Sequence, residues 1–318
     1  MGSFPFALSE VEGHFCGSTS SPRTETNPLP KRLTISPIEA LKAEMLGEWI
    51  QKETVVLPGV FNGATALAAK KAGFKALYLS GGALSASLGF PDVGILTLDE
   101  LKTAVGYIRR ATALPVLSDA DTGFDDPAKT VRVLEKAGAA GLHIEDQVPA
   151  KMCGHLDGKQ LVSTKEMVSR IQAAIRGKKS PNFILMARTD ARGVEGLDQA
   201  IERAKAYVKA GADALFPEGL ETKEEFQLFS KAFPKVPLLA NMTEFGKTPY
   251  ISVHEFSEMG YKMVIFPVTL FRLSMKASIE GLMTIRDKGT QKSLEDHFQT
   301  RKELYEMLDY QKYVDQNS

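Results

Sequence analysis

The fold is decided by a unit that residues 183–216 show once in full: FILMARTDARGVEGLDQAIERAKAYVKAGADALF. It opens with the apolar run Phe183–Met186, which is typical of a strand buried on both faces. Apolar residues then recur at helical spacing over Leu197–Lys209, and Ala210-Gly211 after that closing lysine is a typical helix end. A second apolar run, Ala214–Phe216, follows. The stretch therefore predicts strand, helix and strand.

The same unit recurs along the chain. Eight short apolar runs are predicted to be strands: Val55–Leu57, Ala76–Leu79, Pro115–Leu117, Leu142–Ile144, Phe183–Met186, Ala214–Phe216, Pro237–Leu239 and Met263–Phe266. Amphipathic stretches such as Lys165–Ile175 separate them. Because strand and helix alternate, the strands should be parallel with right-handed crossovers, and eight such units close a (β/α)8 TIM barrel. An open doubly wound sheet is the alternative, disfavoured by the count and by the lack of a Gly-x-Gly-x-x-Gly turn after the first run.

The two ends of the chain differ from this pattern. Residues 1–36 are rich in Ser, Thr, Pro and Gly without periodicity, which predicts a disordered tail. Residues 37–318 are predicted to form one barrel domain, opened by a helix over Ile38–Ile50 with Ser36 as its N-cap. Phe271–Ile285 and Leu294–Leu308 predict two further helices after the last strand. They exceed what a barrel needs, so we expect this extension to pack on a neighbouring subunit.

The composition excludes several classes of function. The 318 residues carry 39 basic and 39 acidic side chains, a formal net charge of +0, so no overall field favours nucleic acid or an anionic membrane. No apolar run reaches the ~18 residues that span a bilayer. The start lacks the basic and apolar regions of a secretory signal. Two cysteines give no disulfide framework, and a cytoplasmic protein is expected.

Polar residues concentrate where the predicted strands end. In a (β/α)8 barrel the chemistry lies at the carboxyl ends of the strands. The residues found there are Ser80-Gly81-Gly82, Ser118–Gly123, Glu145-Asp146, Ala187–Asp190, Pro217-Glu218 and Asn241–Glu244, with Arg272 shortly after the eighth strand. A single acidic strand end would be read as a solvated rim. Their recurrence at corresponding positions predicts one shared active site.

Asp119 and Asp121 are the candidate metal ligands. Residues two apart on a strand point to the same side, and two carboxylates so placed repel each other unless a cation lies between them. Oxygen ligands of this kind suit Mg²⁺ or Mn²⁺. Asp92 and Glu145 are expected to assist through water. The alternative is a pair of aspartates that merely starts a turn.

The candidate catalytic group is Cys153 in the loop Lys151-Met152-Cys153-Gly154-His155. Lys151 and His155 are cationic neighbours that stabilise a thiolate, so they lower a cysteine pKa into the range useful for proton transfer. Gly154 lets the backbone approach a ligand. On these residues alone, an ordinary exposed thiol is an equally good interpretation.

Further candidates indicate an anionic substrate. Arg188 and Arg272 offer bidentate recognition of carboxylates, and Ser80 with the Gly81 and Gly82 amides offers a second anion site. Together with a metal and a thiol, they predict chemistry next to a carbonyl in a small polycarboxylate. His143 and Tyr78 are predicted to be core residues, His143 alternatively lying behind the site.

With these residues in hand, the chain resembles the isocitrate lyase and phosphoenolpyruvate mutase superfamily, and within it the 2-methylisocitrate lyase family. The resemblance covers roughly Ile38 to Tyr313. The motifs that carry it are Tyr78–Gly82, Leu88–Asp92, Asp119–Gly123, Glu145–Gln147, Lys151–His155, Ala187–Ala191, Leu239–Pro249 and Gln299–Tyr305.

The resemblance implies a Mg²⁺-dependent carbon–carbon lyase of propionate catabolism, in the methylcitrate cycle, assembled as a homotetramer that exchanges its eighth helices. It implies that Asp119 and Asp121 hold the metal, with Asp92 and Glu145 behind them, and that Cys153 protonates a succinate carbanion. The residues implied to contact substrate are Ser80, Gly81, Gly82, Cys153, Gly154, Arg188, Glu218, Asn241, Met242, Thr243, Arg272 and Arg301.

The expected reaction is cleavage of 2-methylisocitrate to pyruvate and succinate. Isocitrate, dimethylmalate and oxaloacetate are the alternative substrates, and a catalytically impaired metabolite-binding relative is the alternative class. Two departures from the family pattern motivate that last alternative. Met152 stands where a second basic residue is usual, and the segment Phe124–Pro127 is compressed, with Asp125 in place of the usual glycine.

Overall fold

The structure is a computed structural model and describes residues 38–149, 154 and 158–317. Its centre is one sheet of eight parallel strands in the order β6-β5-β4-β3-β2-β1-β8-β7. The strands are β1 Val55–Val60, β2 Leu77–Leu79, β3 Val116–Asp119, β4 Gly141–Glu145, β5 Ile184–Thr189, β6 Ala214–Pro217, β7 Leu239–Asn241 and β8 Met263–Phe266. Each overlaps one of the eight predicted runs, so the strand prediction is confirmed.

The sheet curls into a nearly closed barrel. β1 pairs with β8 in parallel, with Val55 opposite Met263. On the other side, β6 meets the start of β7 through a parallel bridge between Leu215 and Leu238, where the Leu215 N–H donates to the Pro237 carbonyl at 3.0 Å. The predicted (β/α)8 barrel is thereby confirmed, while the exchange of helices between subunits stays a prediction.

Helices surround this barrel. Within the described residues they are α1 Ile38–Lys52, α2 Gly63–Lys71, α3 Gly81–Ser87, α4 Leu98–Thr112, α5 Pro127–Ala137, α6 Thr164–Gly177, α7 Arg192–Glu195, α8 Leu197–Lys209, α9 Lys223–Ala232, α10 Val253–Glu258, α11 Thr269–Lys288, α12 Arg301–Met307 and α13 Tyr310–Asn317. α8 has the bounds that its apolar spacing predicts. α11 ends at Gly289, whose φ of 65° is the left-handed conformation that favours glycine.

The prediction of one helix over Leu294–Leu308 is wrong. A 3₁₀ helix covers Lys292–His297, Phe298 is extended, and α12 begins afresh at Arg301. The cause is local, because Thr300 and Glu303 form a capping box in which each side chain binds the other's backbone N–H. A capping box fixes the start of a helix, so the helical pattern is interrupted there.

Two apolar layers hold the barrel. One lies between the strands and the outer helices. The other fills the barrel interior with side chains such as Leu57, Leu117 and Ile265, and it continues into Leu46 and Ile50 of α1. α1 therefore covers the end of the barrel where the strands begin, and the opposite end is left for the polar strand ends.

The predicted disordered tail, residues 1–36, lies outside the described residues, and so does the predicted N-cap Ser36. None of the helices described is both long enough and apolar enough to cross a membrane.

Candidate active site

The site lies where the strands end, opposite α1. Buried polar side chains gather there from the ends of β3, β4, β5 and β7 and from the turns that follow β2 to β7. They are Ser80, Asp119, Thr122, Glu145, Asp146, Arg188, Thr189, Asp190, Glu218, Asn241 and Thr243. A buried polar group is costly unless it is paired, so this concentration is typical of a functional site.

Asp119 is the last residue of β3 and is 5% exposed. The Tyr78 hydroxyl donates to its Oδ2 at 3.4 Å, and the Asp121 backbone N–H donates to its Oδ1 at 3.0 Å. His143, its register partner on β4, places Nε2 at 3.7 Å from Oδ1 and at 2.9 Å from the Tyr78 hydroxyl. Burial, and next the charge of Asp119, raise the pKa of Tyr78 well above its ordinary value, so Tyr78 remains a neutral hydrogen-bond donor.

Asp121 approaches the site by a different route from the predicted one. The i, i+2 argument assumes a strand, but β3 ends at Asp119, and Asp121 has a φ of 49° in the left-handed region. That part of the prediction is wrong, because the backbone turns after Asp119. The turn is tied to the neighbouring strand by the Glu145 N–H, which donates to the Asp121 carbonyl at 2.8 Å.

The turn after β2 lies directly against the acidic side chains. The Ser80 hydroxyl caps α3 by accepting from the Ala83 N–H at 3.1 Å. A Cβ added at Gly81 would lie 2.8 Å from Asp119 Oδ2, and one added at Gly82 would lie 3.2 Å from Asp92 Oδ2. Both glycines are therefore required for close approach, and Asp92 joins Asp119 at this turn.

Arg188 is the charged centre of the other half of the site. It is the next-to-last residue of β5, opposite Glu145, and is 7% exposed. Its Nε lies 2.9 Å from Asp190 Oδ2 and 3.2 Å from Glu145 Oε2, and its Nη1 lies 3.5 Å from Glu218 Oε2. Burial acts to lower the pKa of Arg188, but the charges of Asp190, Glu145 and Glu218 outweigh it, and the pKa lies well above its ordinary value. Arg188 thus keeps its positive charge.

Glu218, which follows β6, is held from two sides. The Asn241 amide donates to both of its oxygens, at 3.1 and 3.3 Å, and the Gly219 N–H donates to Oε1 at 2.8 Å. Gly154 packs directly on Glu218 and Arg188. A Cβ added at Gly154 would lie 2.4 Å from Glu218 Cγ and 2.5 Å from Arg188 Nη2. The backbone of the cysteine loop therefore reaches the site at Gly154.

The segment that carries Gly154 is anchored beside the site. The Val148 N–H donates to the Gln160 carbonyl at 3.0 Å, and Gln147 forms an antiparallel bridge with Leu161. Lys159, at the end of this segment, is buried. Its ammonium group lies 3.0 Å from Asp190 Oδ1 and also donates to the Gly154 carbonyl.

Asp146, which follows β4, binds the end of β5 and a residue of α8. Its carboxylate accepts from the Asp190 N–H at 2.8 Å, from the Thr189 hydroxyl at 2.7 Å and from the Tyr207 hydroxyl at 2.8 Å. Burial, and next the charge of Asp190, raise the pKa of Asp146, although these hydrogen bonds act in the opposite direction. Asp146 therefore ties the ends of β4 and β5 to α8.

The remaining predicted contacts are spread more widely. Thr243 is buried beside Asn241, whereas Met242 packs in the apolar layer, where its sulfur accepts from the Ile251 N–H. Arg272 in α11 binds Glu244, with 2.7 Å separating Nη1 from both the Glu244 carbonyl and Oε2. Arg301 is exposed at the start of α12. Within the described residues, Arg301 forms no hydrogen bond or ion pair with the strand ends.

The predicted catalytic residues Cys153, Lys151 and His155 lie outside the described residues, as does Met152. Their roles remain predictions. Gly154 supplies the one described position between them.

The donor set fits a hard divalent cation. Asp119 and Asp92 offer carboxylate oxygens at the glycine turn, Asp121 lies in the turn after β3, and Glu145 ends β4. Across residues 38–149, 154 and 158–317, no three His, Cys, Asp or Glu side chains form a complete metal cage. Mg²⁺ is commonly held by one or two carboxylates and keeps waters or substrate oxygens as its other ligands, so it does not require a cage made only of protein side chains.

Some residues of the site were not found by sequence reasoning. Lys159 lies after the cysteine motif and away from every strand end, so position gave no signal for it. Tyr78 is buried as predicted, but its hydroxyl also binds Asp119. The spacing of Arg188 and Asp190 on and just after one strand was a usable signal for their pairing.

The barrel and its strand-end site define a (β/α)8 enzyme. One half of the site carries carboxylates that suit a metal ion, and the other half carries the buried Arg188. A family model described as phosphoenolpyruvate phosphomutase matches residues 48–286. The chain therefore belongs to the phosphoenolpyruvate mutase/isocitrate lyase superfamily, as its motifs predicted.

Two enzymes of known name are similar to the chain over most of its length. The chain is 54% identical over 273 residues to 2-methylisocitrate lyase of Aeropyrum pernix, covering 85% of this chain and 88% of that protein. It is 47% identical over 283 residues to 2-methylisocitrate lyase of Escherichia coli, covering 87% of this chain and 94% of that protein. The chain is an enzyme of the carbon–carbon lyase class.

Solved structures share the fold over nearly the whole chain. The crystal structure of 2,3-dimethylmalate lyase superposes with a TM-score of 0.82 at 34% identity, covering 89% of this chain and 96% of that one. Phosphonopyruvate hydrolase in complex with oxalate and Mg²⁺ superposes with a TM-score of 0.78 at 26% identity, covering 86% and 96%. Members of this superfamily are generally Mg²⁺-dependent.

Proposed function

We propose that this enzyme cleaves 2-methylisocitrate to pyruvate and succinate with Mg²⁺, and that it acts in propionate catabolism. The observation that carries the proposal is the contact of Gly154 with Arg188 and Glu218, because it brings the cysteine loop to a buried cation that suits a carboxylate substrate. The identity to 2-methylisocitrate lyases supports the choice of substrate.

In this proposal the two halves of the site have separate roles. Asp119 and Asp121 hold the metal, with Asp92 and Glu145 acting through water. When bound, Mg²⁺ supplies positive charge that stabilises oxygen anions on the part of the substrate that becomes pyruvate. The residues proposed to contact substrate are Ser80, Gly81, Gly82, Cys153, Gly154, Arg188, Glu218, Asn241, Met242, Thr243, Arg272 and Arg301.

The proposed reaction is a carbon–carbon cleavage followed by a proton transfer. The substrate hydroxyl loses its proton, its oxygen becomes the carbonyl of pyruvate, and the electrons of the broken bond remain on the succinate part as a carbanion. The Cys153 thiol gives that carbanion a proton and becomes a thiolate. Lys151 and His155 stabilise the thiolate until it recovers a proton equal to the one lost by the hydroxyl.

A second substrate is favoured by one specific observation. The fold match to 2,3-dimethylmalate lyase covers most of both chains, so dimethylmalate is the first alternative. The same site chemistry would serve it, since cleavage again leaves a carbanion that needs a proton.

We further propose a cytoplasmic homotetramer. α11 has no buried residue within the described chain and exposes large apolar side chains, among them Leu273, Ile279 and Leu282. Exposed apolar area of this kind is typical of an interface, and the family resemblance makes a second copy of the chain the expected partner.

The test measures product release with Mg²⁺ and then with EDTA: pyruvate from 2-methylisocitrate or dimethylmalate, glyoxylate from isocitrate, and oxalate from oxaloacetate. Metal-dependent preference for 2-methylisocitrate is the expected result. Preference for another substrate would replace the proposed one, and binding without turnover would replace the enzyme by a metabolite-binding relative. Cys153→Ser should lose cleavage while still binding Mg²⁺; near-full activity would exclude Cys153 as the proton donor.

A further inference from the structure

Lys159 occupies an unusual place beside the site. Its side chain is only 3% exposed, and its ammonium group contacts both the Gly154 carbonyl and Asp190 Oδ1. Burial of a lysine is costly unless its charge is compensated, and here two acceptors compensate it. One of them is a backbone group of the cysteine loop, and the other is the carboxylate that also binds Arg188.

The base from which Lys159 reaches these groups is fixed. Its neighbour Gln160 accepts from the Val148 N–H, and Leu161 bridges to Gln147. The Lys159 backbone is thus held by a short antiparallel pairing at the end of β4. The Lys159 backbone is held by this pairing, and its ammonium group is held by Asp190. The hydrogen bond from the same ammonium group to the Gly154 carbonyl therefore fixes the position of Gly154.

Gly154 has no free space on the side that faces Glu218 and Arg188. Gly154 meets Glu218 and Arg188 so closely that even a methyl group would not fit between them. A shift of the Gly154 carbonyl would therefore move this backbone relative to the groups proposed to hold substrate. The residue bonded to Gly154 on its N-terminal side is Cys153.

The lysine also shares the charge of Asp190. Arg188 binds that carboxylate through Nε at 2.9 Å and Nη2 at 3.2 Å, and Lys159 binds Oδ1 at 3.0 Å. Burial acts to raise the pKa of Asp190, but Arg188 and then Lys159 outweigh it and lower the pKa. Without Lys159, the Asp190 charge would act on Arg188 alone and hold it more tightly away from a ligand.

We infer, on the basis of the proposed function, that Lys159 is a positioning residue of the reaction: its ammonium group joins the Gly154 carbonyl to Asp190 and so fixes the Gly154 backbone, which follows Cys153 in the sequence, relative to Arg188 and Glu218. It contacts no reacting atom in this account. Its effect is on the position of the Gly154 backbone next to the proposed proton donor in the sequence, and on how freely Arg188 can bind a carboxylate.

The experiment uses the full chain with Cys16→Ser, so that Cys153 is its one remaining thiol. Lys159→Met removes the ammonium group and keeps the length of the side chain. We expect kcat for 2-methylisocitrate to fall by about 10²-fold, as small misplacements of reacting groups do, with KM less affected. We also expect the rate of Cys153 alkylation by iodoacetamide to change, and Lys159→Arg to restore part of both.

Lys178→Met is the matched control. Lys178 forms an ion pair with Asp213 at 2.7 Å, but both residues lie where β5 and β6 begin, at the far end of the barrel. This variant loses a lysine–aspartate pair of similar geometry, so it should leave kcat and the alkylation rate unchanged. An equal fall in kcat for both variants would overturn the inference.

A second variant serves if Lys159→Met does not fold. A Cβ added at Gly193 would lie 3.3 Å from Lys159 Nζ, so Gly193→Ala presses on the ammonium group without removing it. It should alter the alkylation rate in the same direction as Lys159→Met. An unchanged alkylation rate in the folded variants overturns the inference, whatever kcat does. The alkylation measurement needs no substrate. It therefore still tests the role of Lys159 if the wild-type protein cleaves none of the tested substrates and the proposed function fails.

Discussion

At the scale of single residues, the site depends on how closely Gly154 approaches its neighbours. Glu218 Cγ and Arg188 Nη2 occupy the space that a side chain would need, and Arg188 is itself fixed by three carboxylates. Neither neighbour is an exposed side chain that can swing away, because both are buried. The loop backbone and the arginine half of the site therefore act as one packed unit.

We predict that Gly154→Ala lowers kcat by about 10²-fold, because the added methyl group displaces the loop from Arg188 and Glu218. Steady-state kinetics with 2-methylisocitrate measure the effect. Gly106→Ala is the control: a Cβ there meets nothing within 4 Å, and Gly106 lies inside α4, so stability should rise by roughly 0.5–1 kcal/mol with activity unchanged. Full activity of Gly154→Ala would show that the contact is not needed for turnover.

The charges around Arg188 also make a prediction for stability in acid. The pKa of Asp190 is lowered in the folded state, so its contribution is fully present above the unfolded pKa of about 3.9 and is lost as pH falls through the folded pKa. Asp190→Asn removes this titration. Between about pH 5 and about pH 3, the wild type should therefore lose more free energy of unfolding than the variant.

Urea unfolding at several pH values measures this difference. The variant should also be less stable at neutral pH, by about 3–5 kcal/mol, since Arg188 and Lys159 lose a buried charged partner. The raised pKa of Asp146 contributes with the opposite sign. Because the Asp190 charge is one of its causes, this opposing contribution is smaller in the variant and reduces the difference between the two profiles. Parallel acid profiles would contradict the assignment of this loss to Asp190.

Sequence reasoning predicted the site residues at the strand ends more completely than those on the loops. Asp119, Glu145, Arg188 and Glu218 were found because strand ends in a parallel barrel converge, whatever the details of the loops. Lys159 was not, because it reaches the site through a long side chain from a segment whose pairing depends on Gln147 and Leu161. Long-range contacts of that kind leave no local pattern in the sequence.

At the scale of elements, the compressed segment Phe124–Pro127 proves to be the start of α5. Phe124 has a φ of 55°, which turns the chain sharply, and the Asp126 carboxylate accepts from the Ala128 and Lys129 N–H groups at 2.9 and 3.0 Å. Pro127 takes the first helical position, which suits its missing N–H. Asp125, which stands in place of the usual glycine, is exposed.

We predict that Asp126→Ala lowers the free energy of unfolding by about 1 kcal/mol, because two N–H groups at the start of α5 lose their acceptor. Asp125→Ala is the neighbouring control and should stay within about 0.5 kcal/mol of the wild type. Thermal or urea unfolding of the two variants measures both. A larger loss for Asp125→Ala than for Asp126→Ala would contradict the capping assignment.

The elements that sequence reasoning placed correctly are those with strong local signals. α8 has a clear apolar spacing and a glycine after it, and all eight strands are short apolar runs between polar turns. Leu294–Leu308 failed because apolar spacing alone does not reveal an interruption. The Thr300–Glu303 capping box was a usable signal, since a threonine followed three residues later by glutamate favours a helix start.

At the scale of the whole molecule, α11 carries apolar surface that this single chain does not cover. Leu282 is 67% exposed and Leu273 63% exposed. We predict that Leu282→Glu dissociates the proposed tetramer, because a charge would then be buried in its interface. Sedimentation velocity measures the assembly.

Lys276→Glu on the same helix is the control, since it introduces the same side chain about 120° around the helix from Leu282. Lys276 is solvent-exposed and pairs with Glu280 at 3.4 Å, so its replacement should leave the sedimentation coefficient unchanged. A wild-type protein that sediments as a monomer would remove the assembly proposal altogether.

The pairing of β1 with β8 has a consequence for how the protein is made. Just before β1, the Thr54 hydroxyl binds the Tyr261 carbonyl, 207 residues further along the chain. At ribosomal rates of about 5–20 residues per second, the partner edge of β1 emerges only about 10–40 s after β1 itself. During that interval an apolar parallel strand has no native neighbour on one side, and contacts so distant in sequence form slowly. Each newly synthesised molecule therefore passes through a period in which it depends on chaperones or on its own first helices to avoid aggregation.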